Sequence, residues 1–175
     1  MPAMPPTLHT PRLTMTPPTA DDLGDMTAMW TDAAVYAGLL GRPATREEVW
    51  YRLQRYVGNW TMAGYGHWMM RRRDDGVFVG AVGIMDPRRE TVPSFEGVPE
   101  VGWSVMGHAQ GGGYAGEALA AMFGWADARL SRTVCIIAPD NAPSIKLAER
   151  VGYRRYAEGT YGGKPTLFFE RIAGR

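Results

Sequence analysis

The chain has 175 residues, 45% of them hydrophobic and 21% charged, with 19 Lys and Arg against 18 Asp and Glu for a net charge of +1. That length and composition describe one folded domain with a proper core and exclude a disordered chain. The balanced charge excludes the electrostatic footprint of a nucleic-acid-binding domain. One cysteine, Cys135, permits no internal disulfide and sits in an apolar run, as a buried thiol in a reducing, cytoplasmic compartment would. His9, His67 and His108 are scattered without zinc spacing, so no metal site is expected. No apolar stretch approaches the ~18 residues of a membrane span, and the N-terminus lacks the basic start and apolar region of a signal peptide.

In chain order, residues 1–10 carry Pro2, Pro5 and Pro6 and read as a loose tail, leaving residues 11–175 as the domain. Leu13 and Met15 alternate with polar residues as a first strand. A helix capped near Thr19 or Asp21 follows, with Leu23, Met26 and Trp30 on one face. Thr45 and Glu48 form a capping box, and Val49, Leu53 and Tyr56 give the second helix its buried face. Residues 67–73 and 77–85 are strands joined by Asp74-Asp75-Gly76, a hairpin signal. The tripeptide Arg71-Arg72-Arg73 reads as a strand end running into solvent.

A proline-containing loop over residues 86–99 leads to a strand at 100–106. Then comes Gln110-Gly111-Gly112-Gly113-Tyr114-Ala115, followed at once by a helix with Ala118, Leu119, Met122 and Phe123 on one face. A strand at 134–138 is followed by a helix with Pro143 at its start and Gly152 past its end. Strands at 154–158 and 166–171 close the chain, joined by residues 159–165. The order is one strand, two helices, three strands, helix, strand, helix, two strands. It specifies an α/β (α+β layered) domain.

The glycine loop feeding a helix N-terminus presents free N–H groups and a partial positive charge of about half an electron, which suits a phosphate. A P-loop would end in Gly-Lys-Ser/Thr, and there is no lysine here. A dinucleotide fingerprint would follow the first strand, with an acidic residue about 20 positions on. This loop follows the fourth strand, and Asp127 comes too early.

Gln110-x-x-Gly113-x-Ala115 resembles the Q/R-x-x-G-x-G/A signature of the GNAT acetyltransferase superfamily. The strand Glu100-Val101-Gly102-Trp103-Ser104-Val105-Met106 before it is similar to the fourth strand of that family. Asn141-x-x-Ser144-x-x-Leu147-x-Glu149-x-x-Gly152-Tyr153 after it resembles the N-x-x-S-x-x-L-E-K-x-G-F block. Arg12-Leu13-x-Met15-x-Pro17 and Thr31-Asp32 look like the branch that contains ribosomal-protein N-terminal acetyltransferases. The resemblance covers about residues 11–171.

The resemblance implies a mixed, mostly antiparallel seven-stranded sheet that splays between strands four and five, with about four helices. It implies acetyl-CoA as acyl donor and a primary amine as acceptor, either a small molecule or a peptide N-terminus, and no nucleic acid or membrane; a homodimer is left open. The pantetheine would lie in the splay, its amides paired with backbone groups of Val105 and Met106. The pyrophosphate would sit on N–H groups of Gly111, Gly113 and Ala115, within the cofactor-binding run Gln110, Gly111, Gly112, Gly113, Tyr114 and Ala115, and a Cβ at Gly111 or Gly113 would crowd the loop. Asn141 either caps the last helix or donates to the pantetheine, and Ser144 either contacts the cofactor or serves the first helical turn.

Glu100 is the candidate base, against the plainer reading of a solvated strand-end carboxylate. Ser104 shares its strand face by period-two alternation. His67 is a second candidate base or a satisfied strand residue. Many family members place a tyrosine before the glutamate of the last helix as general acid; Ala148 stands there instead. That leaves Tyr153, Tyr161, Ser104 or water. The alternative function is a non-catalytic acyl-CoA-binding or regulatory module.

Overall fold

The computed structural model describes residues 5–174. Among these the strands are β1 (Leu8–His9), β2 (Leu13–Thr16), β3 (His67–Arg72), β4 (Phe78–Met85), β5 (Thr91–Val92), β6 (Glu100–Val105), β7 (Arg132–Ile137), β8 (Arg154–Tyr161) and β9 (Lys164–Ile172). The helices are α1 (Leu23–Thr31), α2 (Ala33–Tyr36), α3 (Arg46–Ala63), α4 (Tyr114–Ala126) and α5 (Ala142–Arg150). They form one mixed, mostly antiparallel sheet in the order β1-β2-β3-β4-β6-β7-β9-β8-β5. The expected α/β layering is present, with nine strands among the described residues where seven were expected. No described helix is long and apolar enough to cross a membrane.

The two extra strands are two-residue pieces, one paired with its neighbour in sequence and one with a strand far along the chain. Leu8 and His9 pair with Met15 and Thr14, and Pro6 accepts a hydrogen bond from the Trp68 indole at 2.8 Å. The tail expected to be loose is therefore docked from about Pro6 onward; residues 1–4 lie outside the described residues. Thr91 and Val92 pair with Tyr161 and Thr160. β8 and β9 meet at Gly162-Gly163, both with positive φ (56° and 73°), the tight hairpin geometry that glycine adopts without strain. The expected seven-residue connection thus shrinks to two residues.

Caps fix the helix starts. The Thr45 hydroxyl accepts from Glu48 N–H at 3.2 Å while the Glu48 carboxylate accepts from Thr45 N–H at 2.8 Å. Asp32 caps α2, which was not expected from sequence, by accepting from Ala34 N–H at 2.9 Å. The basic run does not simply enter solvent. Arg71 bonds Asp22 and Asp25, Arg72 bonds Asp75, and Arg73 donates to Thr10 O at 3.0 Å.

Strand alternation sends neighbouring residues to two cores. Trp68 and Met70 join Leu119, Met122, Phe123 and Leu147 beneath α4 and α5. Met69 joins Met26, Trp30, Val49 and Leu53 beneath α1 and α3. His67, also buried, stacks flat on Tyr56 of α3 with ring centroids 3.5 Å apart. Its Nδ1 has no partner among the described residues. Burial, with Arg55 acting in the same direction, lowers the His67 pKa from 6.5 to about 3. The unfolded chain therefore takes up a proton below about 6.5 that the folded chain refuses until about 3. Stability is full above that window and falls as pH falls through it. In the His67→Phe variant, urea midpoints plotted against pH should decline less between pH 6.5 and 4 than in the parent; parallel curves would refute the assignment.

Candidate active site

β6 and β7 are parallel neighbours, yet their register holds only one pair, Glu100 with Val134. Val134 N–H donates to Pro99 O at 2.9 Å there, and beyond it the strands part. Met106 N–H bonds Val79 O at 2.9 Å, so by alternation the backbone groups of residues 100, 102, 104 and 106 face β4. Those of Trp103 and Val105 face the gap. Expectation and structure differ at Met106. Its N–H is held by Val79, and its carbonyl accepts from Ala109 and Gln110. It has no backbone group left for a ligand. Val105 faces the gap, but its carbonyl accepts from Gln110 Nε2 at 3.1 Å.

The Gln110 amide also donates to Ala34 O at 3.2 Å, which ties α2 to the end of β6. Asp32 reinforces that tie by accepting from Gly107 N–H at 2.7 Å. Past Gln110 the loop turns through Gly111 (φ 76°) and Gly113 (φ 79°), the left-handed region that favours glycine. A Cβ at Gly111 would meet nothing within 4 Å, so backbone conformation selects glycine there rather than the expected crowding. Crowding does apply at Gly112, where a Cβ would lie 2.9 Å from the Tyr114 ring. Gly112 N–H bonds Ala109 O, but the N–H groups of Gly111, Gly113, Tyr114 and Ala115 have no partner among the described residues. They are the open donors of a helix N-terminus, suited to an anion.

Sequence reading missed a brace beneath this loop. Arg12 donates to Gly112 O at 2.8 Å and to Glu117 at 2.6 Å, and its guanidinium lies over the Tyr114 ring. Glu117 also accepts from the Thr10 hydroxyl at 2.5 Å. Burial opposes charge on Glu117, yet the bonds from Thr10 and Arg12 hold its pKa below the usual range. A groove lined by Gly113, Gly116, Ala120, Gly124 and Arg150 continues along α4. Asn141 is the cap of α5, its Oδ1 accepting from Ser144 N–H at 3.2 Å. Its side-chain N–H groups and the Ser144 hydroxyl have no partner among the described residues.

Glu100 is not a solvated strand end; the residue is only 4% exposed. After β4 the chain crosses the sheet to its far edge as β5 and returns to β6. That crossing buries Phe95 against Val134 and Phe168 and brings Arg89 over Glu100. Arg89 Nε and Nη2 donate to the two carboxylate oxygens at 2.6 and 3.2 Å. Arg89 Nη1 donates to the Tyr161 hydroxyl at 2.7 Å. Burial pushes the Glu100 carboxyl above its ordinary value while Arg89 pulls the other way.

Ser104 lies on the same face, but four residues along a strand is about 13 Å, so the two candidates do not converge on one atom. Tyr153 is out of reach for chemistry. It is buried and shares a 2.7 Å hydrogen bond with buried Thr133. Ala148 is likewise buried. Tyr161, partly exposed at the end of β8, is the hydroxyl nearest the Glu100 pair by hydrogen bonding. Among the described residues no group of three or more His, Cys, Asp or Glu is placed to hold a metal ion.

The family model described as an acetyltransferase (GNAT) domain matches residues 12–154. A solved structure of a GnaT-family acetyltransferase from Bordetella pertussis is 31% identical and superposes with a TM-score of 0.87, covering 96% of this chain and 100% of that one. A Bacillus subtilis protein named YkkB, itself uncharacterized, is 29% identical over 143 residues, 78% of this chain and 76% of its own length. RimL, a ribosomal L7/L12 alpha-N-protein acetyltransferase solved in complex with coenzyme A, shares the fold at 14% identity, with a TM-score of 0.74 and coverage of 93% and 95%.

Because the Arg89 and Glu100 charges are buried together, removing one should cost more than removing both. Arg89→Leu should lose about 3–5 kcal/mol in urea unfolding, and Arg89→Leu with Glu100→Leu should recover most of it. A double variant no more stable than the single one would show that the pair is not energetically coupled.

Proposed function

This chain belongs to the GNAT acetyltransferase family, and from that premise we propose that it transfers an acetyl group from acetyl-CoA to a primary amine by direct attack, on a small molecule or a peptide N-terminus. The observation that carries this reading is a buried carboxylate, Glu100, at the point where β6 and β7 part. The open N–H groups of Gly111, Gly113, Tyr114 and Ala115 suit the pyrophosphate, and the gap-facing edge of Trp103 and Val105 suits the pantetheine amides. The RimL complex with coenzyme A supports the donor, and its action on a protein N-terminus supports the peptide alternative.

In this reading Glu100 takes the proton from the amine, directly or through one water. Burial raises its affinity for that proton, and the bonds from Arg89 act in the opposite direction, toward the carboxylate. As the nitrogen–carbon bond forms, the backbone N–H edge at Trp103–Val105 donates to the developing oxyanion. The carbon–sulfur bond then breaks with its electron pair on sulfur. The Tyr161 O–H, whose oxygen already accepts from Arg89, or water supplies the thiolate's proton. A weak acid suffices, because a thiolate leaves readily, so the alanine at position 148 is compatible with turnover.

Glu100→Gln should lower kcat about 10²–10⁴-fold with acetyl-CoA affinity retained, read by thiol release and calorimetry. In the parent, the rate should fall as pH falls through the Glu100 pKa. Arg89→Gln removes the counter-pull, so that limb should move to higher pH, and Arg89→Lys should move it less. Tight acetyl-CoA binding without turnover of any amine by the parent would instead favour a non-catalytic acyl-CoA-binding module.

A further inference from the structure

Arg52, Arg55, Tyr56 and Asn59 fall at i, i+3, i+4 and i+7 of α3 and form one stripe about 10 Å long. It is tied to its surroundings at Asn59 and Tyr56. Asn59 Oδ1 accepts from Asp86 N–H at 3.2 Å, where the crossing segment that carries Arg89 begins. Tyr56 is locked against His67 by the flat ring stack. Burial raises the Tyr56 pKa, and the charges of Arg52, Arg55 and Arg89 all act against that rise. His67 pairs with Gly83 and Gly83 with Gly102, which shares its strand face with Glu100, so the Tyr56 stack stands on the Glu100 side of the sheet.

Two of these cations are uncompensated. Arg42, Arg71, Arg72, Arg89, Arg132 and Arg171 each hold a carboxylate. Among the described residues Arg52 and Arg55 have no carboxylate within salt-bridge distance. Glu48, one turn before Arg52, is held by Arg42 through two bonds at 2.6 and 3.0 Å. Arg52 is half-buried with its guanidinium over the Trp30 ring, 4.2 Å from the centroid. Burial and then the neighbouring Arg55 charge lower its pKa. The Trp30 indole N–H beneath it is itself buried without a partner among the described residues. A partly desolvated cation beside a like charge is a cost that an incoming anion removes.

We propose that the acceptor amine carries a carboxylate of its own, which Arg52 and Arg55 hold while the amine faces Glu100. This rests on the amine-acetylation reading above and narrows it. The arrangement serves the chemistry twice. The carboxylate orients the amine, and the surrounding positive field disfavours the ammonium form, so more of the bound acceptor is the neutral nucleophile. The carboxylate can belong to a free amino acid or to an acidic side chain next to a peptide N-terminus.

Matched acceptors separate these sources. Thiol release from acetyl-CoA by the full-length protein is measured with aspartate against asparagine amide, and with Ser-Asp-Ala-Ala-amide against Ser-Asn-Ala-Ala-amide. The anionic member of at least one pair should be preferred by about tenfold or more in kcat/KM, and Arg52→Gln with Arg55→Gln should bring that ratio close to one. The ratio is the readout, so a general loss of activity does not imitate it. Equal use of both members by the parent, or a preference that survives the double variant, overturns the inference while leaving acetyl transfer intact. If no amine is turned over, the proposed function itself fails. The arginines are then read without turnover, by titrating N-acetylaspartate and uncharged N-acetylasparagine amide against the Trp30 indole N–H resonance. A saturable shift with the aspartate alone, lost in the double variant, upholds the anion site, and equal responses overturn it.

Discussion

The parting of β6 from β7 is the constraint on which the site depends. Two parallel strands that begin a ladder at Glu100 and Val134 and then abandon it leave an unpaired backbone edge inside the sheet. Such an edge is costly unless water or a ligand satisfies it. The flanking elements hold the gap open. Gln110 and Asp32 draw the end of β6 toward α2, while β7 is fully paired with β9 on its other side. The glycine loop then begins where β6 ends, so the backbone edge and the open helix N-terminus are contiguous. Unpaired main-chain groups of a strand edge and of a helix N-terminus thereby lie side by side.

The crossing segment between β4 and β6 supplies what main chain cannot. It buries Phe95 against Val134 and Phe168 and pairs β5 with β8. Fixed at both ends, it carries Arg89 over Glu100 and links that pair to Tyr161. Arg52 and Arg55 belong to α3, whose Tyr56 stacks on His67 on the Glu100 face of the sheet. Glu100 thus has two opposed influences, burial favouring the proton and Arg89 favouring its loss, which fits the proposed role of base.

What could be read from sequence was what local chemistry dictates. The Thr45–Glu48 capping box, the turn at Asp74–Gly76 and the loop at Gly111–Gly113 are each specified by residues a few positions apart, and each appears where expected. Leu8–His9 and Thr91–Val92 are not legible as strands because two residues carry no periodicity, and the pairing of Thr91–Val92 is decided by partners far along the chain. Glu100 was legible as a candidate from its place on β6, but its burial was not, because Arg89 and Phe95 sit in a segment whose prolines read only as loop. The roles of Met106 and Gln110 came out differently for the same reason: motif position does not reveal which backbone groups the fold has already used. Arg52 and Arg55 belong to no motif, and the pairing of Glu48 with Arg42 leaves them unmatched.

The central claim is that the β6–β7 gap and the glycine loop deliver the thioester to the side of the sheet where Glu100 lies. A crystal structure of the protein with acetyl-CoA bound tests it most directly. The account predicts the pyrophosphate on the N–H groups of Gly111, Gly113 and Ala115, the pantetheine amides on the Trp103 and Val105 edge, and the thioester emerging toward Glu100 and Tyr161. A thioester emerging on the opposite face, away from Glu100, or a cofactor bound outside the gap, would contradict it.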